Sequence, residues 1–157
     1  VTDYHPHNIH ESDDVLEFQI QMGHYHTIGV SHLTKRKLLE RLACMQEELD
    51  EFKAAVEAQD LPEQVDALID LVYFAKGTAN MLGVTGNLWH GCWSLVHEAN
   101  MRKVPGQTKR GILEDAAKPE GWMAPDVGFK LRQFGYVKSF FTDQNGNVLE
   151  ELCHDGR

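Results

Sequence analysis

No apolar run in this chain approaches the ~20 residues that a membrane-spanning helix requires, so no helical membrane partner is expected. Basic residues are also scarce. Fifteen Lys and Arg stand against 24 Asp and Glu, a formal net charge of −9. A nucleic-acid polymer rewards clustered Lys and Arg, so that class of partner is disfavoured. A nucleotide is not, because divalent ions can bridge its phosphates to carboxylates. Cysteine is limited to Cys44, Cys92 and Cys153, odd in number and without Cys-x-x-Cys spacing. That argues against a disulfide framework and a Cys-rich zinc site, and makes reduced thiols in a cytoplasmic setting the expectation. The opening VTDYHPHNIH lacks the apolar core of a secretory signal. Its His5, His7 and His10 read as a polar lead-in rather than a metal site.

What the chain does contain is helical periodicity. A hydrophobic share of 42% and a charged share of 25% are ordinary for a globular protein, and 157 residues suffice for one domain with a core. Val15, Phe18 and Met22 follow helical spacing behind the capping group Ser12 to Asp14, with Gly23 as the stop. A second helix is predicted from about Thr34 to Ala58. In it Leu38, Leu42, Met45, Leu49, Phe52 and Val56 alternate spacings of four and three, a seam that should pack along another helix. A third should start at Asp60, where Asp60-Leu-Pro-Glu63 fits a capping box, and run to about Leu82, with Gly83 closing it. From Ala67 to Ala75 it is apolar almost all round, the pattern of a central buried helix. A fourth covers about Asn87 to Lys103 and breaks at Val104-Pro105-Gly106. Beyond it the chain turns irregular, and YVKSFFTDQNGNVLEEL reads as a terminal hairpin turning at Asn145-Gly146. The expected fold is all-α, one domain over residues 1–157. Its four-helix-bundle-like core spans about 14–105, followed by a C-terminal extension over 106–157.

Carboxylates interrupt this apolar pattern. On a wheel of ~100° per residue the seam of the second helix centres near Leu49 and Val56, which leaves Glu48 at the border of the buried stripe. Glu51 follows on the same side, three residues away, so the two can converge on one object. Glu47 and Asp50 point further out. The third helix offers Asp66 and Asp70, four apart on one face. Asp70 lies inside Leu68-Ile69-Asp70-Leu71-Val72. An unpaired carboxylate there needs a cation, a hydrogen-bond network or a raised pKa. Two carboxylates from each of two packed helices suit a hard divalent cation, magnesium first and manganese as the alternative, that also touches a substrate phosphate. A di-iron site is disfavoured, because it calls for Glu-x-x-His on two helices and neither of these two holds a histidine.

At this point the chain resembles a known family. EELDEF, then DALIDLVYFAKGTANMLG, then VHEANMRKV are similar, in that order, to segments of the all-α nucleoside triphosphate pyrophosphohydrolases. These are the MazG-like enzymes, with phosphoribosyl-ATP pyrophosphatases and dimeric dUTPases as relatives. Glu47-Glu48-Leu-Asp-Glu51 matches the first half of the family pattern, and Asp70 with the apolar residues after it matches the end of the second. The chain departs from the pattern three residues before Asp70, where Ala67 replaces the family's Glu; Asp66 or Glu63 is then the fourth acid.

The resemblance implies a reaction, cleavage between the α and β phosphates of a nucleoside triphosphate to give a monophosphate and pyrophosphate. It implies magnesium held by Glu48, Glu51, Asp66 and Asp70, with Glu47 or Glu48 activating water. It also implies a nucleotide pocket containing Asn100 and Lys103, with Phe18 and Gln19 flanking the base, in a homo-oligomeric dimer or tetramer. The spacing of Trp93, Val96, Asn100 and Lys103 agrees with one helix face running from apolar to polar. Trp122 is either a packing anchor for the tail or a cover over the site. Two rivals remain open. One is a pyrophosphatase for another nucleotide: dUTP, dCTP, a nucleotide-sugar or a phosphoribosyl-ATP-like compound. The other is a non-catalytic acidic helical adaptor in which Asp70 pairs with a base such as Lys103.

Overall fold

The computed structural model describes residues 11–24, 29–111, 114–136, 141–142 and 148–150. In chain order the elements are α1 (Glu11–Gln21), α2 (Lys35–Ala58), α3 (Leu61–Met81), α4 (Gly86–Met101), β1 (Val104–Gly106), β2 (Asp115–Ala117), α5 (Val127–Gln133), β3 (Phe141–Thr142) and β4 (Val148–Glu150). The all-α class expected from periodicity is observed. No described helix is long and apolar enough to cross a membrane. The chain forms two compact units, Val1–Val84 with Val137–Arg157, and Thr85–Tyr136.

In the first unit α2 and α3 form a helical hairpin, and α1 packs on α3. Local chemistry sets the helix ends. Thr34 caps α2 by accepting from the Lys37 N–H through its hydroxyl at 3.2 Å. The helix stops where Gln59 turns left-handed at φ 57°, so that the Asp60 N–H reaches back to the Ala55 carbonyl at 2.9 Å. Asp60 then caps α3, its carboxylate accepting from the Glu63 N–H at 3.3 Å. The Asp60 N–H is already taken by Ala55, so a reciprocal Glu63 bond has no donor to meet, and half of the expected capping box forms. Gly83 closes α3 at φ +76°, where an added Cβ would fall 2.1 Å from the Gly29 carbonyl oxygen; no side chain fits there.

Two packing expectations are met only in part. α2 packs along α3 as expected, but its seam is covered unevenly: Leu38, Met45 and Phe52 are half-buried. Leu42, Leu49 and Val56 are 56%, 45% and 48% exposed, whereas Glu48 and Ala55 are buried. Nor is α3 covered all round, since Val65, Leu68, Ile69 and Val72 remain roughly half exposed while Ala67 is buried. The reason lies in side-chain size. Small side chains such as Ala55 and Ala67 occupy the buried faces and allow close helix approach, and larger branched residues lie to either side. Three helices then leave two apolar stripes open, one on α2 and one on α3.

In the second unit α4 buries Leu88, Cys92 and Ala99. Val104-Pro105-Gly106, expected to be a simple break, is a strand. It pairs antiparallel with β2, Val104 opposite Ala117 and Gly106 opposite Asp115. Three-residue strands carry no readable periodicity, which is why the extension looked irregular. The short α5 is capped by Asp126, whose carboxylate accepts from the Phe129 N–H at 2.7 Å. The expected terminal hairpin is present as β3 paired with β4, Phe141 opposite Glu150. Its Asn145-Gly146 turn and the residues His5, His7 and His10 lie outside the described residues.

Candidate active site

The antiparallel register of α2 and α3 follows from two polar ties. Near one end Arg41 donates from Nε to the Thr78 hydroxyl at 3.0 Å and from Nη2 to the Phe74 carbonyl at 2.9 Å. Its guanidinium also lies 4.9 Å from the centre of the Phe74 ring. Near the other end the Gln64 side chain donates to the Ala55 carbonyl at 3.2 Å. Arg41, Glu48 and Ala55 are spaced by seven and share one face of α2. Glu48 therefore sits midway between the ties, at the level of Asp66 and Asp70 on α3.

Glu48 retains 7% of its surface, and its Oε2 is buried without a hydrogen-bond partner. Burial pushes its carboxyl above the usual carboxylate range, and the charges of Glu51, Asp70, Glu47 and Asp66 push it further. Four acids named from the sequence thus stand close enough to act on the fifth, Glu48. Glu47, Glu51, Asp66 and Asp70 are exposed. None of the four side chains makes a hydrogen bond or ion pair among the described residues, so Asp70 has no lysine or arginine partner there. Nor do three acids yet converge on one coordination position among the described residues. The donor set nevertheless fits a hard divalent cation: carboxylate oxygens alone, one of them buried and unsatisfied, in a patch of mutual repulsion that a cation would relieve.

The acidic hairpin is braced by a polar junction that sequence reasoning largely missed. Gln19, expected beside a nucleobase, is buried and donates from Nε2 to the Gly77 carbonyl at 2.9 Å. Its Oε1 accepts from the Asn80 side chain at 3.1 Å. A Cβ at Gly77 would meet Gln19 Nε2 at 3.0 Å and Arg41 Nη2 at 3.2 Å, so glycine lets α1 and α2 both reach α3. Lys76, beside it, is buried too. The signal that singled out Asp70, a charge inside an apolar run, applied equally to Lys76 in VYFAKGTANML, and it is Lys76 that the fold encloses. Phe18 is partly exposed and meets Tyr73 edge-on with ring centres 5.7 Å apart. Beside this pair a cleft of about 470 Å³ opens between α1 and α3, lined by Asp14, Val15, Val65, Leu68, Ile69, Val72 and Tyr73.

In the second unit Asn100 is exposed at the end of α4, and Lys103 is half-buried just beyond it. Lys103 Nζ lies 5.9 Å from the centre of the Trp122 ring. Trp122 is a packing anchor on α4, its indole N–H donating to the Ala99 carbonyl at 2.8 Å. On the β1–β2 ribbon Arg110 pairs with Asp115 at 3.0 Å. The Asp115 carboxyl is held below its ordinary range, chiefly by the Thr108 hydroxyl that donates to it.

A family model described as phosphoribosyl-ATP pyrophosphohydrolase matches residues 15–100, a span that takes in all of α2 and α3 and most of α4. No curated protein matches the chain.

Proposed function

This chain belongs to the phosphoribosyl-ATP pyrophosphohydrolase family, and we propose that it is a magnesium-dependent nucleoside triphosphate pyrophosphohydrolase, cleaving between the α and β phosphates to release a monophosphate and pyrophosphate. The observation that supports this reading most directly is the buried, unpartnered Glu48 Oε2 surrounded by four further acids. A lone carboxylate of that kind is costly unless a cation joins it.

In this reading Glu48, Glu51, Asp66 and Asp70 hold magnesium, or manganese in its place. Among the described residues no side-chain hydrogen bond or ion pair holds the exposed members, so each can rotate towards Glu48. The ion, when bound, neutralises phosphate charge and makes an attacking water more acidic. Glu47, exposed beside Glu48 on α2, accepts the proton of that water. Within the second unit, the resemblance assigns Asn100 and Lys103 to nucleotide binding, the amide as a hydrogen-bonding group and the ammonium as a cation for phosphate. Phe18 supplies an aromatic face for the base. Gln19 acts through the Asn80 and Gly77 bonds that hold α1 on α3.

The open stripes, Leu42, Leu49 and Val56 on α2 and Val65, Leu68, Ile69 and Val72 on α3, support assembly into a homodimer or tetramer. Exposed apolar residues grouped along a helix are a common feature of association surfaces. A cytoplasmic setting agrees with the free Cys44 and Cys92 thiols.

The family match also favours a second substrate class, a phosphoribosyl-ATP-like nucleotide. One assay separates the readings. The protein is incubated with each NTP and dNTP and with phosphoribosyl-ATP, with and without magnesium, and monophosphate and pyrophosphate are measured. Metal-dependent release of both products from a triphosphate is expected. Turnover of phosphoribosyl-ATP alone selects the second substrate. No turnover of any compound leaves the acidic adaptor.

A further inference from the structure

The two ends of the α2–α3 hairpin are held differently. At one end the short link through Gln59 and Asp60 joins the helices covalently, and the Gln64 amide adds its bond to the Ala55 carbonyl. The other end is open, and there Arg41 reaches across from α2. It donates from Nε to the Thr78 hydroxyl at 3.0 Å and from Nη2 to the Phe74 carbonyl at 2.9 Å. The Thr78 hydroxyl donates in turn to that same carbonyl at 2.8 Å. One guanidinium thus grips a hydroxyl and a carbonyl on neighbouring turns of α3, with the Phe74 ring 4.9 Å away. A planar fork held at two points fixes rotation as well as translation.

That grip lies close to the acids along both helices. Phe74 stands four residues after Asp70, on the same side of α3. Arg41 stands seven residues before Glu48, two turns or about 10 Å along α2. Arg41 is not the counter-ion of Glu48. The charges that act on that carboxyl are those of Glu51, Asp70, Glu47 and Asp66. What Arg41 controls is the level and rotation at which α2 presents Glu48 to α3. A slip of one residue would shift Glu48 by about 1.5 Å and turn it by about 100°. A ligating constellation tolerates about 0.5 Å.

We propose that Arg41 is a positioning residue for the divalent cation: its two-bond grip on Phe74 and Thr78 sets the register that brings Glu48 together with Asp70. The inference rests on the carboxylate site of the proposed function. Arg41 itself touches neither ion nor substrate.

The test reads metal binding apart from turnover. Manganese alone is titrated into the whole protein, and the free ion is followed by its electron paramagnetic resonance. The wild type should bind, and Glu48→Gln should not. R41K keeps the charge without the fork, and R41M keeps neither. Both should bind about tenfold more weakly, the lower end of the range for losing the support of a metal ligand, with unchanged circular dichroism. T78V, which removes one of the two acceptors, should lose less. N80A is the control, because it loosens α1 and not the α2–α3 register; its affinity should match the wild type although its urea midpoint falls. In the nucleotide assay R41K should need about tenfold more magnesium for half its maximal rate. Wild-type affinity in R41K and R41M would overturn the positioning role and leave the cation site standing. So would an equal loss in N80A, since affinity would then follow general stability. Full affinity in R41K with loss in R41M would make the charge responsible and overturn the role of the fork. Where the Arg41 variants do not fold, wild-type affinity in T78V overturns the proposal. No binding by the wild type, or undiminished binding in Glu48→Gln, would overturn the cation site and the positioning role together.

Discussion

Asn80 on α3 donates to the Gln19 side chain on α1 at 3.1 Å, and the other end of the same Gln19 amide reaches the Gly77 carbonyl at 2.9 Å. Asn80 keeps 2% of its surface exposed. One buried amide pair therefore fastens α1 to α3 at the level where Arg41 fastens α2. Replacing Asn80 by Ala would leave Gln19 Oε1 without this donor. The expected loss is about 1–3 kcal/mol of unfolding free energy, read as a lower urea midpoint at unchanged slope. A midpoint equal to that of the wild type would mean the bond contributes nothing.

Glu48 and Asp70 separate function from stability. Glu48→Gln removes a buried charge held among other negative charges, so the metal-free variant should be at least as stable as the parent. Its turnover, and that of Asp70→Asn, should fall by about 10²-fold or more, the range associated with a catalytic carboxylate. Steady-state rates and thermal melts on the same samples check both halves. Wild-type rates in the two variants would remove the proposed site.

The raised Glu48 pKa also has a sign in the pH dependence. Its ordinary value is 4.5, and in the folded chain it lies above that. Between the two values the folded state binds more protons than the unfolded one, so stability falls as pH rises through this window. In EDTA the contribution of Glu48 should be greatest below the unfolded value and be lost above the folded one. Saturating magnesium should reverse the trend, since the ion requires the ionised carboxylate. Urea titrations at stepped pH, with Glu48→Gln as the reference, test this; a trend unchanged in that variant would assign the effect elsewhere.

The two open stripes predict assembly. Leu49→Glu combined with Ile69→Glu alters side chains already 45% and 57% exposed, so a single chain should tolerate them with little change in far-ultraviolet dichroism. Light scattering should then report a mass at least halved from that of the parent. A monomeric parent, or a variant of parental mass, would show that the stripes do not join copies.

The acids of the candidate site were legible because charged residues at helical spacing inside apolar runs are conspicuous in any helical segment. Glu48 with Glu51, and Asp66 with Asp70, were found that way. Their ranking was not legible. Asp70 was expected to be the enclosed member, yet it is exposed and Glu48 is buried. On α2 hydrophobicity alone does not mark the packed face, which is the one whose polar ties, Arg41 to Phe74 and Gln64 to Ala55, fix the register.

By itself the sequence determined the helical class and most helix ends. Those depend on interactions within a turn or two: the Thr34 hydroxyl, the Asp60 carboxylate, and the glycine that α3 needs at its stop. Which face of each helix is covered was decided only by the tertiary structure. Small residues such as Ala55 and Ala67 draw helices together at places hydrophobicity does not mark. The amides of Gln19 and Asn80 satisfy each other across 61 positions of chain, a separation that no local pattern spans.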